Sequence, residues 1–395
     1  MFENCRFRSE LSALSYEDAL VLPGKNRKGG VVDKDGSFVE ASKSQWFGGA
    51  YDLEDSKEIV YDARKVVFLG EYATSCWGHG FVSLLVRFWY SSLSSDDIDA
   101  YVIIAETPEQ TPNNKALNDL IRLAGIEEKV IYVNRPTRFK EVIVPEPSFT
   151  AHSYTNQFWE TIDIIKENAL KESDNTTSTP EKIFLSRRHF NKAIQGEGGL
   201  ELLDDFFENN GFTIIYPEEH SLSQMIRIMH NATICASESG SITFNTLFGA
   251  SNLQVVVIER TALFTFGNLM TNLSRAKQIT YIDGHYTIYP SNVGGPCILG
   301  FTDEFERFAN DNSYQHPSPI YLESDYKKEC FEKFEKRYLK MNTYSRFLGT
   351  GKKDARPDLR PVVCEAFSAS IDQFPWLDKE AIIEKYYKNS DFLAL

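Results

Sequence analysis

From Lys65 onward, short apolar runs alternate with amphipathic segments, and this alternation constrains the fold more than any other property of the sequence. Runs at 66–70, 101–105 and 129–133 are predicted strands. Phe81, Leu84, Leu85, Phe88 and Trp89 mark a helix after the first, and Leu117, Leu120, Ile121 and Ala124, closed by Gly125, mark one after the second. Further strands are predicted at 183–185, 212–216, 233–236, 254–258 and 279–282. Helices are expected between them at 200–210 and 222–230, the latter opened by a Ser221/Gln224 capping box. Strand–helix–strand order calls for parallel pairing with right-handed crossovers. The predicted fold is therefore α/β, with two Rossmann-like doubly wound parallel-sheet domains facing across a cleft. Residues 1–62 are poorly periodic and read as a strand-and-loop prelude within a first domain at 1–172. The polar stretch 171–180 reads as the linker, 181–313 as the second domain and 314–395 as a helical tail.

The 395 residues carry a formal charge of −14, which argues against a nucleic-acid partner, so any anionic ligand needs a local basic cluster. Six scattered cysteines, with no C-x-x-C pair, read as reduced thiols of a cytoplasmic protein. The N-terminus has no apolar signal region and no apolar run approaches membrane-spanning length, so no transmembrane segment is expected. Peripheral association with the inner face of the membrane is compatible with this composition.

In open parallel sheets ligands bind beyond the carboxyl ends of strands. Ser186, Arg187 and Arg188 follow one predicted strand, Glu218 another, and Glu259-Arg260 a third. The strand at 233–236 runs into Ser237-Glu238-Ser239-Gly240-Ser241, followed by Ile242, Phe244, Leu247 and Phe248 at helical spacing. Such a loop before a helix N-terminus can cradle a phosphate on its backbone amides, or can be an ordinary turn capped by Ser241. The guanidiniums suit bidentate phosphate binding, and a carboxylate can grip ribose hydroxyls. Trp77-Gly78-His79-Gly80 is expected as a loop between strand and helix, where His79 could act as a general base beside a backbone opened by Gly78. Asp97-Ile98-Asp99 has the bare D-x-D pattern of metal-dependent sugar transferases, but it precedes a strand and reads as a turn, so no metal is predicted. Dinucleotide, Walker-type and G-x-S-x-G patterns are absent.

Four of these stretches, in order, resemble glycosyltransferase family 61. The segment from Trp77 to Trp89 resembles its WGHFxxDxLxRLW signature, Ile183 to Arg188 its strand end, Gly211 to Gln224 its GFxxvxPExlslxeQ segment, and Glu238 to Phe248 its eGSxxxNxxF loop. The resemblance implies a two-domain, GT-B-like, metal-independent and inverting transferase. It would move sugar from a nucleotide-diphosphate donor, expected to be UDP-linked, to a glycan or glycolipid acceptor, in capsule or other surface polysaccharide synthesis. The N-terminal domain would be the acceptor side and the C-terminal one the donor side. Carried over by position, Arg187 contacts the pyrophosphate, Glu238, Ser239, Gly240 and Ser241 line the donor site, and Asn245 braces the loop. Ser83 stands where the family often has a carboxylate, and Ser239 where it often has His. The base is then His79 or Glu238, the acceptor is unusual, or the chain is an inactive nucleotide- or sugar-binding homologue.

Overall fold

A computed structural model describes residues 5–44, 48–53, 59–72, 77–92, 97–105, 113–172, 178–261, 263–286 and 296–340. The centre of the expected linker and the tail beyond 340 lie outside the described residues. The chain divides into one compact unit of Met1–Thr177 with Ser221–Arg227, and a second of Ser178–His220 with Ile228–Leu395.

In the first unit the strands are β1 (Ala13–Lys25), β2 (Lys28–Val32), β3 (Val60–Tyr72), β4 (Ala100–Ala105), β5 (Val130–Val133) and β6 (Thr137–Pro145). They form one sheet in the order β2-β1-β6-β3-β4-β5. Helix α1 (Trp77–Leu84) follows β3, α2 (Lys115–Leu123) follows β4, and α3 (Asn156–Lys171) follows β6. The β3–β4, β4–β5 and β3–β6 pairs are parallel, as the alternation requires. The sheet is nevertheless mixed, because β1 runs antiparallel to both β2 and β6. The prelude therefore supplies two strands of the sheet. Asn26 and Arg27, both at positive φ (53° and 62°), make the two-residue turn between them, which matches the twist of a hairpin. The apolar run of Ala19, Val21 and Val31 joins Phe68, Val102, Phe139 and Val144 in the core.

Trp77-Gly78-His79-Gly80 lies in the first turn of α1 and not in a loop, with Trp77 set edge-on to Phe81 at 5.3 Å between ring centroids. The expected helix through Trp89 is α-helical only to Leu84 and continues as a 3-10 helix, Leu85–Ser92. Fully buried Arg87 donates through Nε to Pro145 O (3.1 Å) and through Nη2 to Ala41 O (2.6 Å) and Lys43 O (2.8 Å). Burial pushes its guanidinium down to about 10, so it stays charged near neutral pH. It ties the prelude to the end of β6. Close approach of α1 to β3 depends on Gly70, at φ 128°, where a Cβ would lie 2.2 Å from Ser83 O. Gly70→Ala is expected to cost about 1–3 kcal/mol or more through strain and backbone displacement, read as a lowered Cm in urea; an unchanged Cm would contradict this packing.

In the second unit, β7 (Lys182–Leu185), β8 (Thr213–Ile215), β9 (Ile234–Glu238), β10 (Gln254–Glu259) and β11 (Gln278–Asp283) form a wholly parallel sheet in the order β8-β7-β9-β10-β11. Helix α4 (Leu200–Asn209) links β7 to β8, α5 (Leu222–Asn231), whose residues to Arg227 are counted with the first unit, precedes β9, and α6 (Phe266–Leu273) links β10 to β11. Helix α7 (Asp303–Asp311) buries Phe305 and Ala309 in the same core as Phe184, Phe206 and Phe207. Phe184 and Phe207 stack at 4.3 Å. Each buried ring of this kind contributes about 1.5–3 kcal/mol, so the core fixes the sheet on which the polar residues stand. The capping box forms: Ser221 N–H donates to Gln224 Oε1 (2.9 Å), and Gln224 N–H to Ser221 Oγ (3.2 Å). Among the described residues no helix is long and apolar enough to cross a membrane.

Candidate active site

Strand β7 is the first of its sheet in the chain. The chain passes from it to β8 on one side and then returns to β9 on the other. The carboxyl ends of β7 and β9 thus flank the topological switch point, where loops diverge and leave a crevice. In register, Ser237 pairs with Leu185 and Glu238 with Ile258. Ser186 and Arg187 therefore emerge beside Glu238, Ser239 and Gly240, with Arg260 following the end of β10.

These residues form one buried ionic cluster. Arg187 grips Glu197 with two donors, Nε to Oε2 at 3.1 Å and Nη2 to Oε1 at 2.8 Å. Arg260 Nη1 shares the same Oε1 at 2.7 Å, and its Nε donates to Ser239 O at 2.5 Å. Glu197 is buried, held in a short parallel bridge in which Glu197 pairs with Cys297 and Gly198 with Ile298. Burial opposes its ionisation, but Arg260 and Arg187 outweigh burial and hold its carboxyl below the usual range. Burial likewise opposes the Arg187 charge, while Glu197 raises that guanidinium further above its usual value. Arg187 N–H lies 3.4 Å from Glu238 Oε1. Glu238 is fully buried, and burial pushes its carboxyl up to about 8 against the pull of Arg187. Near neutral pH it keeps its proton, so two guanidiniums and one carboxylate leave the cluster one positive charge.

Gly240 receives that charge. Its φ is 131°, and a Cβ there would lie 2.9 Å from Arg260 Nη2 and 3.7 Å from Arg187 Nη1. Both nitrogens differ from the ones bonded to Glu197. Behind the loop, a Cβ on Gly267 would meet Gly240 O at 2.3 Å, so α6 packs directly on this backbone. The loop leads into a 3-10 helix, Ser241–Phe248, whose N-cap is Gly240 and not Ser241. A local side-chain pattern accompanies the tight winding. Thr243 Oγ1 donates to Gly240 O (2.9 Å), Asn245 Nδ2 to Ile242 O (2.7 Å) and Thr246 Oγ1 to Thr243 O (2.7 Å), each three residues back. The amides of Ser241 and Ile242 open this helix, with no preceding turn to supply carbonyls. Ser239 is buried, and its Oγ accepts Arg260 N–H at 3.1 Å.

The remaining expected residues are dispersed. Buried Ser186 accepts Arg188 N–H on its Oγ at 3.1 Å. Half-exposed Arg188 lies 3.6 Å from Asp204, which also accepts from Tyr216 OH at 3.0 Å. Glu218 is exposed in the Pro217–Glu219 turn after β8. There, His189 stacks on Tyr216 at 3.7 Å and contacts Glu219 at 2.5 Å. His79, exposed, and Gly78, buried, lie on α1 of the first unit. The D-x-D carboxylates precede β4 and hold Lys65 of β3: Asp99 accepts Lys65 N–H at 2.7 Å, and Asp97 lies 3.3 Å from Lys65 Nζ. Glu197, the hub of the cluster, carries no strand or motif signal in the sequence, since its bridge depends on Cys297.

The arrangement suits a phosphate-bearing ligand, with fixed guanidiniums facing a glycine loop at a switch point. No curated protein matches the chain. The family model described as Glycosyltransferase 61 matches residues 77–257, a span from α1 through most of β10 that contains Arg187, Glu197 and the Glu238–Ser241 loop. Over that span the chain is similar to glycosyltransferase family 61, and it is a glycosyltransferase.

Proposed function

We propose that the chain is an inverting, metal-independent transferase of the GT-B class, taking sugar from a nucleotide-diphosphate donor whose pyrophosphate binds beyond β7 and β9. The observation that carries this reading is the pair of guanidiniums, Arg187 and Arg260, set against Gly240 at the switch point. Guanidiniums meet phosphate charge directly, which assigns them the role a bound cation plays in D-x-D enzymes. In the reaction, the acceptor oxygen forms a bond to the anomeric carbon as the bond from that carbon to the diphosphate oxygen breaks. The acceptor proton passes to a base, proposed to be His79, and the nucleoside diphosphate leaves with the electron pair. One displacement inverts the anomeric configuration. Buried and protonated near neutral pH, Glu238 fits a role beside the phosphate better than that of base. A UDP-linked donor, a glycan or glycolipid acceptor and a cytoplasmic role in surface polysaccharide synthesis belong to the same proposal.

The test is transfer from a panel of nucleotide sugars with a chelator present, and assignment of the product anomer by NMR. Inverted product with undiminished rate in chelator is expected. Retained configuration, or loss of turnover on chelation, would contradict the mechanism.

A further inference from the structure

The two guanidiniums do not reach Gly240 independently. Glu197 Oε1 accepts from Arg187 Nη2 and Arg260 Nη1 at once, and Oε2 takes Arg187 Nε. The nitrogens facing Gly240 are Arg187 Nη1 and Arg260 Nη2. Arg260 is fixed from its other edge by Ser239 O. One carboxylate thus sets the rotation of both guanidinium planes, each of which would otherwise sample many rotamers. We propose that Glu197 is the positioning residue of the diphosphate site, a clamp that orients Arg187 and Arg260 together toward the Gly240 loop. The clamp does not touch the phosphates; it acts through the two arginines, and it rests on the donor-site reading above.

A carboxylate placed inside a site for an anion opposes that anion by charge. A residue that served only to neutralise the arginines could be shortened without harm, whereas a clamp depends on reach. Glu197→Asp keeps the charge and withdraws the carboxylate by one methylene, so it cannot hold both forks. Arg260→Lys keeps the charge and cannot bond Glu197 and Ser239 O in the same fork geometry.

Inorganic pyrophosphate, titrated calorimetrically into the full chain, is the probe, with thermal melts to establish folding. Each variant is expected to bind pyrophosphate about tenfold more weakly, and the double variant no more weakly than the poorer single one, because both changes release the same clamp. Wild-type affinity in folded Glu197→Asp, or losses that add in the double variant, would overturn the clamp while leaving the donor site standing. If Glu197→Asp does not fold, wild-type affinity in Arg260→Lys overturns it. Pyrophosphate binding by Arg187→Ala at wild-type affinity, or none by the wild type, would instead remove the donor-site reading and the clamp with it.

Discussion

Arg187→Ala is expected to lower kcat/KM for sugar transfer by about 100- to 1000-fold, the effect of deleting one preorganised donor to developing charge. Two consequences of the geometry combine. The side chain presents Nη1 toward Gly240, and it also donates two hydrogen bonds to Glu197, where Arg260 donates one. Without it Glu197 faces Arg260 alone, and the cluster changes from one net positive charge to none. Arg187→Lys should restore little, because an ammonium cannot grip both carboxylate oxygens while turning a further donor to the loop. Steady-state kinetics on folded protein checks this, and transfer within threefold of wild type by Arg187→Ala would contradict it.

The second large effect concerns stability and pH. Burial raises the Glu238 carboxyl to about 8, whereas in the unfolded chain it titrates near the ordinary glutamate value of about 4.3. Between those values the folded state holds a proton that the unfolded state has lost, so unfolding releases one. Stability from this group is fully present below about pH 4 and falls as pH rises toward about 8. Glu238→Gln, neutral at every pH, removes that slope. It is expected to match the wild type near pH 4 and to exceed it by a few kcal/mol near pH 8, the product of roughly three and a half pH units and about 1.4 kcal/mol per unit. Urea titrations at the two pH values measure the gap; a gap independent of pH would contradict the buried acid. The same proton bears on function. Above about pH 8 the ionised carboxylate beside Arg187 cancels the positive charge of the cluster, and affinity for a diphosphate should fall there.

Several parts of this organisation are visible in the sequence because they are local. The apolar runs at 183–185, 233–236 and 254–258 become β7, β9 and β10, and the residues directly after them come together because parallel neighbours end at one edge. The Ser221/Gln224 box forms because a capping box is complete within four residues. Other parts depend on distant partners. The β1–β2 hairpin turns through Asn26-Arg27 with no glycine at either turn position, and β1 runs antiparallel to β6, whose residues lie more than a hundred positions further on. Helix 241–248 has apolar spacing that fits an α-helix, yet Thr243, Asn245 and Thr246 bond to the carbonyls three residues back and the segment winds as 3-10. Glu197 is hidden for a related reason. Only the approach of Cys297 and the convergence of two strand ends make it the centre of a cluster. Arg260 is legible in the sequence as a strand-end residue, but its tie to the glycine loop is not.

The proposed donor site binds a nucleoside diphosphate beyond β7 and β9, against Gly240. A crystal structure of the chain with UDP tests it most directly. The β-phosphate is expected within hydrogen-bond distance of the Arg187 guanidinium and of the Ser241 amide. A diphosphate bound elsewhere, with the Arg187–Glu197–Arg260 cluster untouched, would contradict it.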